Sequence, residues 1–135
     1  MARILIVDDE KDVGTTLKMI LENYGFDIDS FTDPAVALEQ FKPSLYDLTI
    51  LDIKMPNPNG FELYDQLKSR DPNIKTLFLT ALSSVESYNT ESYNTEKSKV
   101  YPLEGKRHFV KKPVSSEELL EQVYSMLVPQ EYEDS

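Results

Sequence analysis

Strand-like and helix-like segments alternate five times along this chain of 135 residues. Two of the strand-like segments, Arg3–Val7 and Leu48–Asp52, consist mainly of β-branched and aliphatic residues, which is typical of strands buried on both faces. Further strands are predicted at Phe26–Phe31, Ile74–Thr80 and Lys106–Lys111. This alternation predicts an α/β fold in which right-handed crossovers join parallel strands and helices cover both faces of the sheet.

The intervening segments carry apolar residues at helical spacing and have recognisable ends. Gly25 follows the first predicted helix, and Asp33-Pro34 supplies an N-cap and a first-turn proline for the second. Gly60 begins the third helix after a loop rich in proline and asparagine. The pattern Ser115-Ser-Glu-Glu118 is a capping box, which predicts the start of the last helix.

Composition excludes several classes of site. The chain has no cysteine and a single histidine, so disulfides, thiolate catalysis and cysteine- or histidine-based zinc sites are excluded or very improbable. Its formal net charge of −10 argues against direct binding of nucleic acid, because phosphate binding requires lysine and arginine. No apolar run is long enough to span a bilayer, and residues 1–7 are too short for a signal peptide, so we expect a cytoplasmic protein.

Four of the predicted strands end on residues that carry chemistry. Asp8 and Asp9 follow the first strand, Asp52 ends the third, Thr80 ends the fourth, and a Lys-Lys-Pro triplet at 111–113 follows the last. Singly, each has an ordinary explanation: an aspartate pair often caps a helix, and a lysine is usually solvated. Because the carboxyl ends of parallel strands lie at one edge of a sheet, these residues are expected to converge there. Three close carboxylates repel one another, and a hard divalent cation would relieve that repulsion.

In these motifs the chain resembles the receiver domains of two-component response regulators. The matching pieces are Val7-Asp8-Asp9-Glu10, Leu51-Asp52 with Met55-Pro56 and Gly60, Thr80-Ala81, and Lys112-Pro113 with Phe109 three residues before the lysine. The resemblance implies a flavodoxin-like (βα)5 fold whose five parallel strands have the order 2-1-3-4-5. It also implies a receiver domain over residues 1–128, followed by an acidic tail at 129–135.

The resemblance assigns roles to the residues at this edge. It implies that Asp9, Asp52 and the backbone carbonyl of Lys54 bind Mg²⁺ or Mn²⁺ directly, that Asp8 acts largely through water, and that Asp52 accepts a phosphoryl group. Other positions implied by the resemblance are Lys112 and Thr80 as groups that bind the phosphoryl oxygens, Thr80 and Phe109 as the switch pair, and a cis peptide bond between Lys112 and Pro113. Lys111 competes with Lys112, which is preferred because it directly precedes the proline.

The implied function is a stand-alone switch, not a conventional turnover enzyme. A sensor histidine kinase or a histidine phosphotransfer protein would phosphorylate Asp52. The face around the fourth helix, the fifth strand and the last helix would then change and bind a downstream effector protein. One alternative is an interaction module that no longer uses phosphotransfer, and another is the regulatory part of a longer transcription factor. Phosphatases of the haloacid dehalogenase class usually carry a second aspartate two residues after the nucleophile, where this chain has Lys54.

A duplicated segment distinguishes this chain from the pattern it resembles. Glu86-Ser-Tyr-Asn-Thr90 is repeated at once as Glu91-Ser-Tyr-Asn-Thr95. The resemblance implies that this region is the fourth helix, part of the face that changes on phosphorylation and meets partners, and one hypothesis is that this helix is lengthened, displaced or partly disordered here. A harmless surface duplication remains the alternative, because loops and helix ends tolerate insertions.

Overall fold

A five-stranded, fully parallel sheet forms the centre of the computed structural model, which describes residues 2–80 and 109–127. The strand order is β2-β1-β3-β4-β5, so the predicted flavodoxin-like topology is confirmed. The strands are β1 (Arg3–Val7), β2 (Asp27–Phe31), β3 (Leu48–Asp52), β4 (Thr76–Thr80) and β5 (Phe109–Lys111). Every residue of β3 and β4 is buried, as expected for central strands covered on both faces.

Helices cover both faces of this sheet. They are α1 (Lys11–Asn23), α2 (Pro34–Gln40), α3 (Gly60–Arg70) and α4 (Ser116–Leu127). Alternate residues of the strands point to opposite faces, which divides the core in two. One cluster contains Ile4, Ile50 and Leu79 with residues of α1 and α4, and the other contains Leu5, Leu51 and Phe78 with residues of α2 and α3.

The predicted helix starts are confirmed by their hydrogen bonds. The Asp33 carboxylate accepts a hydrogen bond of 2.9 Å from the Ala35 amide, and the Ser115 hydroxyl oxygen accepts one of 3.0 Å from the Glu118 amide. A further capping box, in which Asn59 and Glu62 exchange hydrogen bonds of 2.9 Å, begins α3 and was not predicted.

Two strands begin later than the sequence pattern predicted. β4 begins at Thr76 and not at Ile74, because the Ile74 amide donates to the Asp71 carbonyl in a turn. β2 begins at Asp27, because the Phe26 amide donates to the Leu21 carbonyl at the end of α1. The predicted residues 106–108 of the last strand, the duplicated segment 86–95 and the tail 129–135 lie outside the described residues.

Candidate functional site at the carboxyl ends of the strands

The site lies at the edge of the sheet where β1, β3, β4 and β5 end. Asp8 follows β1, Asp52 and Thr80 are the last residues of β3 and β4, and Lys112 follows β5. Because all four strands run in the same direction, their ends bring these residues to the same edge. The convergence that the sequence predicted for Asp8, Asp52 and Lys112 is therefore present in the structure.

The ammonium group of Lys112 lies among three carboxylates. Its Nζ is 3.0 Å from Asp8 Oδ2, 2.9 Å from Glu10 Oε1 and 3.4 Å from Asp52 Oδ1. The Asp8 and Asp52 side chains are almost completely buried, whereas the Glu10 side chain is 64% exposed. Lys111, the competing candidate, is exposed at the end of β5.

The carboxylates that lie close together differ in one member from those the sequence suggested. Asp8, Glu10 and Asp52 each offer an oxygen within 4.8 Å of the others. Asp9 is exposed and does not belong to this group. Glu10 was not predicted as a site residue, although its position in the acidic run after β1 was a signal that could have identified it.

Hydrogen bonds orient the two buried aspartates. Asp8 Oδ1 accepts a hydrogen bond of 2.8 Å from the Glu10 amide, and Asp52 Oδ1 accepts one of 3.2 Å from the Lys54 amide. Asp8 Oδ2 is buried, and its partner within the described part of the chain is the Lys112 ammonium, 3.0 Å away in an ion pair. Buried carboxylates are stabilised by paired cations, and a divalent cation would supply such a partner to Asp8 in place of the Lys112 ammonium.

The environment of Asp52 disfavours its charged form. Burial, and then the negative charge of Asp8, raise the pKa of the Asp52 carboxyl to about 7, although Lys112 and the Lys54 amide oppose this shift. Burial opposes the charged form of Lys112 as well, but its contacts with Glu10, Asp8 and Asp52 more than compensate and raise the pKa of its amine. The site therefore brings Asp8, Glu10 and Asp52 close together, and the Lys112 ammonium contacts all three.

The donor set suits a hard divalent cation. All of its ligand atoms are oxygens, three carboxylates are within 4.8 Å of one another, and one buried oxygen has no hydrogen bond. Mg²⁺ binds such sites through one or two carboxylates while keeping several waters, and Mn²⁺ accepts the same oxygen ligands. The residues present therefore fit the cation that the sequence analysis expected.

Thr80 and Phe109, the expected switch residues, lie beside the site on adjacent strands. Thr80 is 2% exposed, and its carbonyl accepts a hydrogen bond of 2.7 Å from the Lys112 amide. Phe109 is buried and stacks on Phe78 with ring centroids 5.6 Å apart. The peptide bond between Lys112 and Pro113 is cis, as the resemblance implied.

Gly60 allows α3 to begin directly against the end of β3. A Cβ atom at this position would lie 2.4 Å from the Asp52 carbonyl oxygen and 2.7 Å from the Ile53 Cα. Real Cβ atoms do not approach backbone so closely, so only glycine fits without a backbone shift. The Gly60 amide also donates a hydrogen bond of 2.9 Å to the Ile53 carbonyl. The start of α3 thereby supports the backbone of Asp52.

The curated proteins that are similar to this chain include a receiver protein and a response regulator. The chain is 29% identical to the response regulator receiver protein CpdR of Brucella abortus over 95% of its own length and 98% of that protein. It is 32% identical to the response regulator ArlR of Staphylococcus saprophyticus, over 94% of its own length but 53% of that protein. The chain thus spans nearly all of one relative and about half of the other.

Solved structures with the same architecture include a chemotaxis protein and a response regulator. The chemotaxis protein CheY4 of Vibrio cholerae superimposes with a TM-score of 0.74 at 26% identity, over 94% of this chain and 99% of that one. The response regulator TrrA of Thermotoga maritima, solved in complex with Mg²⁺ and BeF, gives a TM-score of 0.71 at 32% identity, over 94% and 100%.

Within the described residues, no helix combines the length and the apolar character needed to cross a membrane. Residues 4–124 match the family model of the response regulator receiver domain, a range that covers the sheet from Ile4 onward, the four described helices as far as residue 124, and every residue of the acidic site. On this match the chain belongs to the response regulator receiver domain family.

Proposed function

We propose that this receiver domain is a phosphoacceptor switch of a two-component system, with Asp52 as the acceptor. The observation that carries the proposal is the contact of the Lys112 ammonium with the buried carboxylates of Asp8 and Asp52 at the carboxyl edge of the sheet. Burial and the negative charge of Asp8 raise the pKa of Asp52, and perturbed carboxyl groups of this kind cluster at functional sites. Such an arrangement is expected where incoming charge is to be bound.

Asp52 has the position and support that a nucleophile requires. Its carboxylate stands at the end of a central strand, and the Lys54 amide holds Oδ1. In the proposed reaction a carboxylate oxygen of Asp52 attacks the phosphorus of a phosphohistidine, and the new O–P bond forms as the P–N bond breaks. The electron pair of the broken bond stays on the imidazole nitrogen of the donor, which takes up a proton.

Metal binding is assigned to the same edge. Asp9, Asp52 and the Lys54 carbonyl are the proposed direct ligands, with Asp8 acting through water, and the bound Mg²⁺ or Mn²⁺ supplies neutralisation of the phosphoryl oxygens. The buried Asp8 oxygen that lacks a hydrogen bond supports a cation here, and so does the Mg²⁺–BeF complex of TrrA.

The remaining residues bind the phosphoryl group and report its presence. Lys112 donates to one phosphoryl oxygen, and the hydroxyl of Thr80 donates to another. Movement of Thr80 toward the phosphoryl group changes the packing of Phe109, which stacks on Phe78 beneath the same edge. Phosphorylation thereby shifts the population of two conformations that present different faces to a partner.

The proposed partners are proteins. A sensor histidine kinase or a histidine phosphotransfer protein donates the phosphoryl group, and a downstream effector protein recognises the phosphorylated form. CpdR is named a response regulator receiver protein and CheY4 a chemotaxis protein, and this chain covers 98% and 99% of their lengths, which supports output through protein contact. Turnover of a free substrate is not part of this proposal.

The test is mass spectrometry after incubation with Mg²⁺ and acetyl phosphate. Wild type should gain the mass of one phosphoryl group, Asp52→Asn should gain none, and Asp27→Asn, which changes an exposed aspartate of β2, should react like wild type. Omitting Mg²⁺ should suppress the adduct. An unmodified wild type, or an equal adduct on Asp52→Asn, would favour the alternative of an interaction module without phosphotransfer.

A further inference from the structure

Glu10 occupies a position that the proposed reaction does not use. Its carboxylate is 64% exposed at the mouth of the site, yet its Oε1 makes a hydrogen bond of 2.9 Å with the Lys112 ammonium. Lys112 is only 14% exposed and lies 102 residues away along the chain. The contact therefore joins the loop before α1 to the loop after β5 across the opening of the site.

Lys112 cannot keep all three of its acidic contacts when a cation is bound. Two of them are to Asp8 Oδ2 and Asp52 Oδ1, which belong to the carboxylates that bind the cation or orient its water. An ammonium group and a divalent cation repel each other at such distances. Glu10 is the one partner of the three that lies outward, so it can hold the ammonium after the inner contacts are lost.

We propose that Glu10 is a positioning residue that holds Lys112 at the mouth of the site and competes with the phosphoryl group for its ammonium. The inference rests on the proposed function, since it assumes that a phosphoryl group binds at Asp52. Lys112 moves from the Glu10 carboxylate to a phosphoryl oxygen as the phosphorylated state forms. Glu10 therefore sets how readily the lysine leaves, and with it the stability of the phosphorylated state.

The size of the effect follows from the exposure of Glu10. An ion pair with one exposed partner contributes little, so loss of the Glu10 contact should strengthen binding of a phosphoryl analogue by about three- to fivefold. Removal of any nearby negative charge also favours an anion, which is a separate effect. Asp12, an exposed acid in the first turn of α1, provides the matched control because it is close in sequence and makes no ion pair within the described residues.

The experiment titrates beryllofluoride into the protein at saturating Mg²⁺ and follows amide resonances by NMR, so that no turnover is needed. Glu10→Gln should bind about three- to fivefold more tightly than wild type. Asp12→Asn should change the affinity by a much smaller factor. In the Lys112→Ala background, Glu10→Gln should give only the small change that Asp12→Asn gives.

The outcomes separate this inference from the function on which it rests. If wild type binds no beryllofluoride, the phosphoacceptor proposal fails. If wild type binds but Glu10→Gln matches it, or gains the same factor with and without Lys112, the positioning role of Glu10 is overturned.

A second measurement applies if the Lys112→Ala protein binds too weakly to titrate. The Lys112 side-chain Cε resonance, recorded with Mg²⁺ alone, should shift in Glu10→Gln and remain unchanged in Asp12→Asn. Identical Lys112 resonances in wild type and Glu10→Gln would also overturn the proposal.

Discussion

Acidic side chains at the two ends of the sheet have very different surroundings. Asp29, in the middle of β2, is bound by two groups from the amino ends of the neighbouring strands: it accepts a hydrogen bond of 2.8 Å from the hydroxyl of Tyr46, which precedes β3, and pairs at 3.3 Å with Arg3, which begins β1. Asp71 in the same region accepts backbone hydrogen bonds from Ser44 and Asn73. At the carboxyl ends, Asp8 and Asp52 are buried together, share one lysine and leave a carboxylate oxygen without a hydrogen bond.

The partners of a carboxylate determine whether it stabilises the fold or serves a binding site. An acid whose oxygens are bound by fixed donors closes a loop or joins strands, and its removal weakens the fold. An acid crowded against another acid destabilises the empty site and stores capacity to bind a cation. Aspartates near the amino ends of the strands therefore stabilise the fold, whereas aspartates at the carboxyl ends form the binding site. Substitutions at the two ends should change stability in opposite directions.

The largest expected effect is at the amino end. Asp71→Ala removes the acceptor for the Ser44 and Asn73 amides, at 2.9 and 3.3 Å, from a side chain that is almost fully buried. Loss of both bonds should lower the free energy of unfolding by about 3 kcal/mol. Urea denaturation measures this, with Asp27→Ala as control, because Asp27 is exposed and its side chain makes no hydrogen bond within the described ranges. Equal effects of the two substitutions would contradict the comparison.

The opposite sign is expected at the carboxyl end. Without Mg²⁺ at pH 8, Asp52→Asn should raise the free energy of unfolding by about 1–2 kcal/mol, because it removes a charge that burial and Asp8 disfavour.

The pH dependence of this gain follows from the raised pKa. Between pH 4 and about 7 the folded state holds a proton on Asp52 that the unfolded state has lost, so wild-type stability falls as the pH rises. The gain from Asp52→Asn should therefore be small near pH 4, grow up to about pH 7 and then level off. Saturating Mg²⁺ should reduce it by stabilising the wild type. A gain that does not depend on pH or Mg²⁺ would count against crowded acids as its cause.

The smallest expected change in stability is again at the amino end of the sheet. Tyr46→Phe removes the hydroxyl that donates to Asp29 and should lower the free energy of unfolding by about 1 kcal/mol. Phosphorylation by acetyl phosphate should be unchanged, since the hydroxyl serves the fold alone. Burial, and then the hydrogen bond to Asp29, raise the pKa of Tyr46 to about 12. The stabilisation that the neutral Tyr46 hydroxyl gives the wild type should therefore be lost as the pH rises from 10 to 12. A slower phosphorylation in Tyr46→Phe would show that the two ends are not independent.

The sequence predicted the fold and most of the site because both depend on parallel strands. Once the alternation of segments places Val7, Asp52 and Thr80 at strand ends, the topology brings the residues beside them together. Side-chain direction within a loop is a different matter. The turn in which the Glu10 amide donates to Asp8 Oδ1 decides that Glu10 faces Lys112, and no periodic pattern encodes that turn. For the same reason the starts of β2 and β4 were placed too early.

Glycine at position 60 also has a mechanical consequence for the phosphoacceptor. The backbone of α3 fills the space behind Asp52, with no side chain that could yield under pressure. The main chain at Asp52 therefore has no room to shift toward α3 when the carboxylate gains bulk, which leaves the response to neighbouring groups such as Thr80 and Lys112, joined by a backbone hydrogen bond. Close packing of the α3 backbone thus fixes the main chain of the phosphoacceptor, so the response to a phosphoryl group falls to other residues.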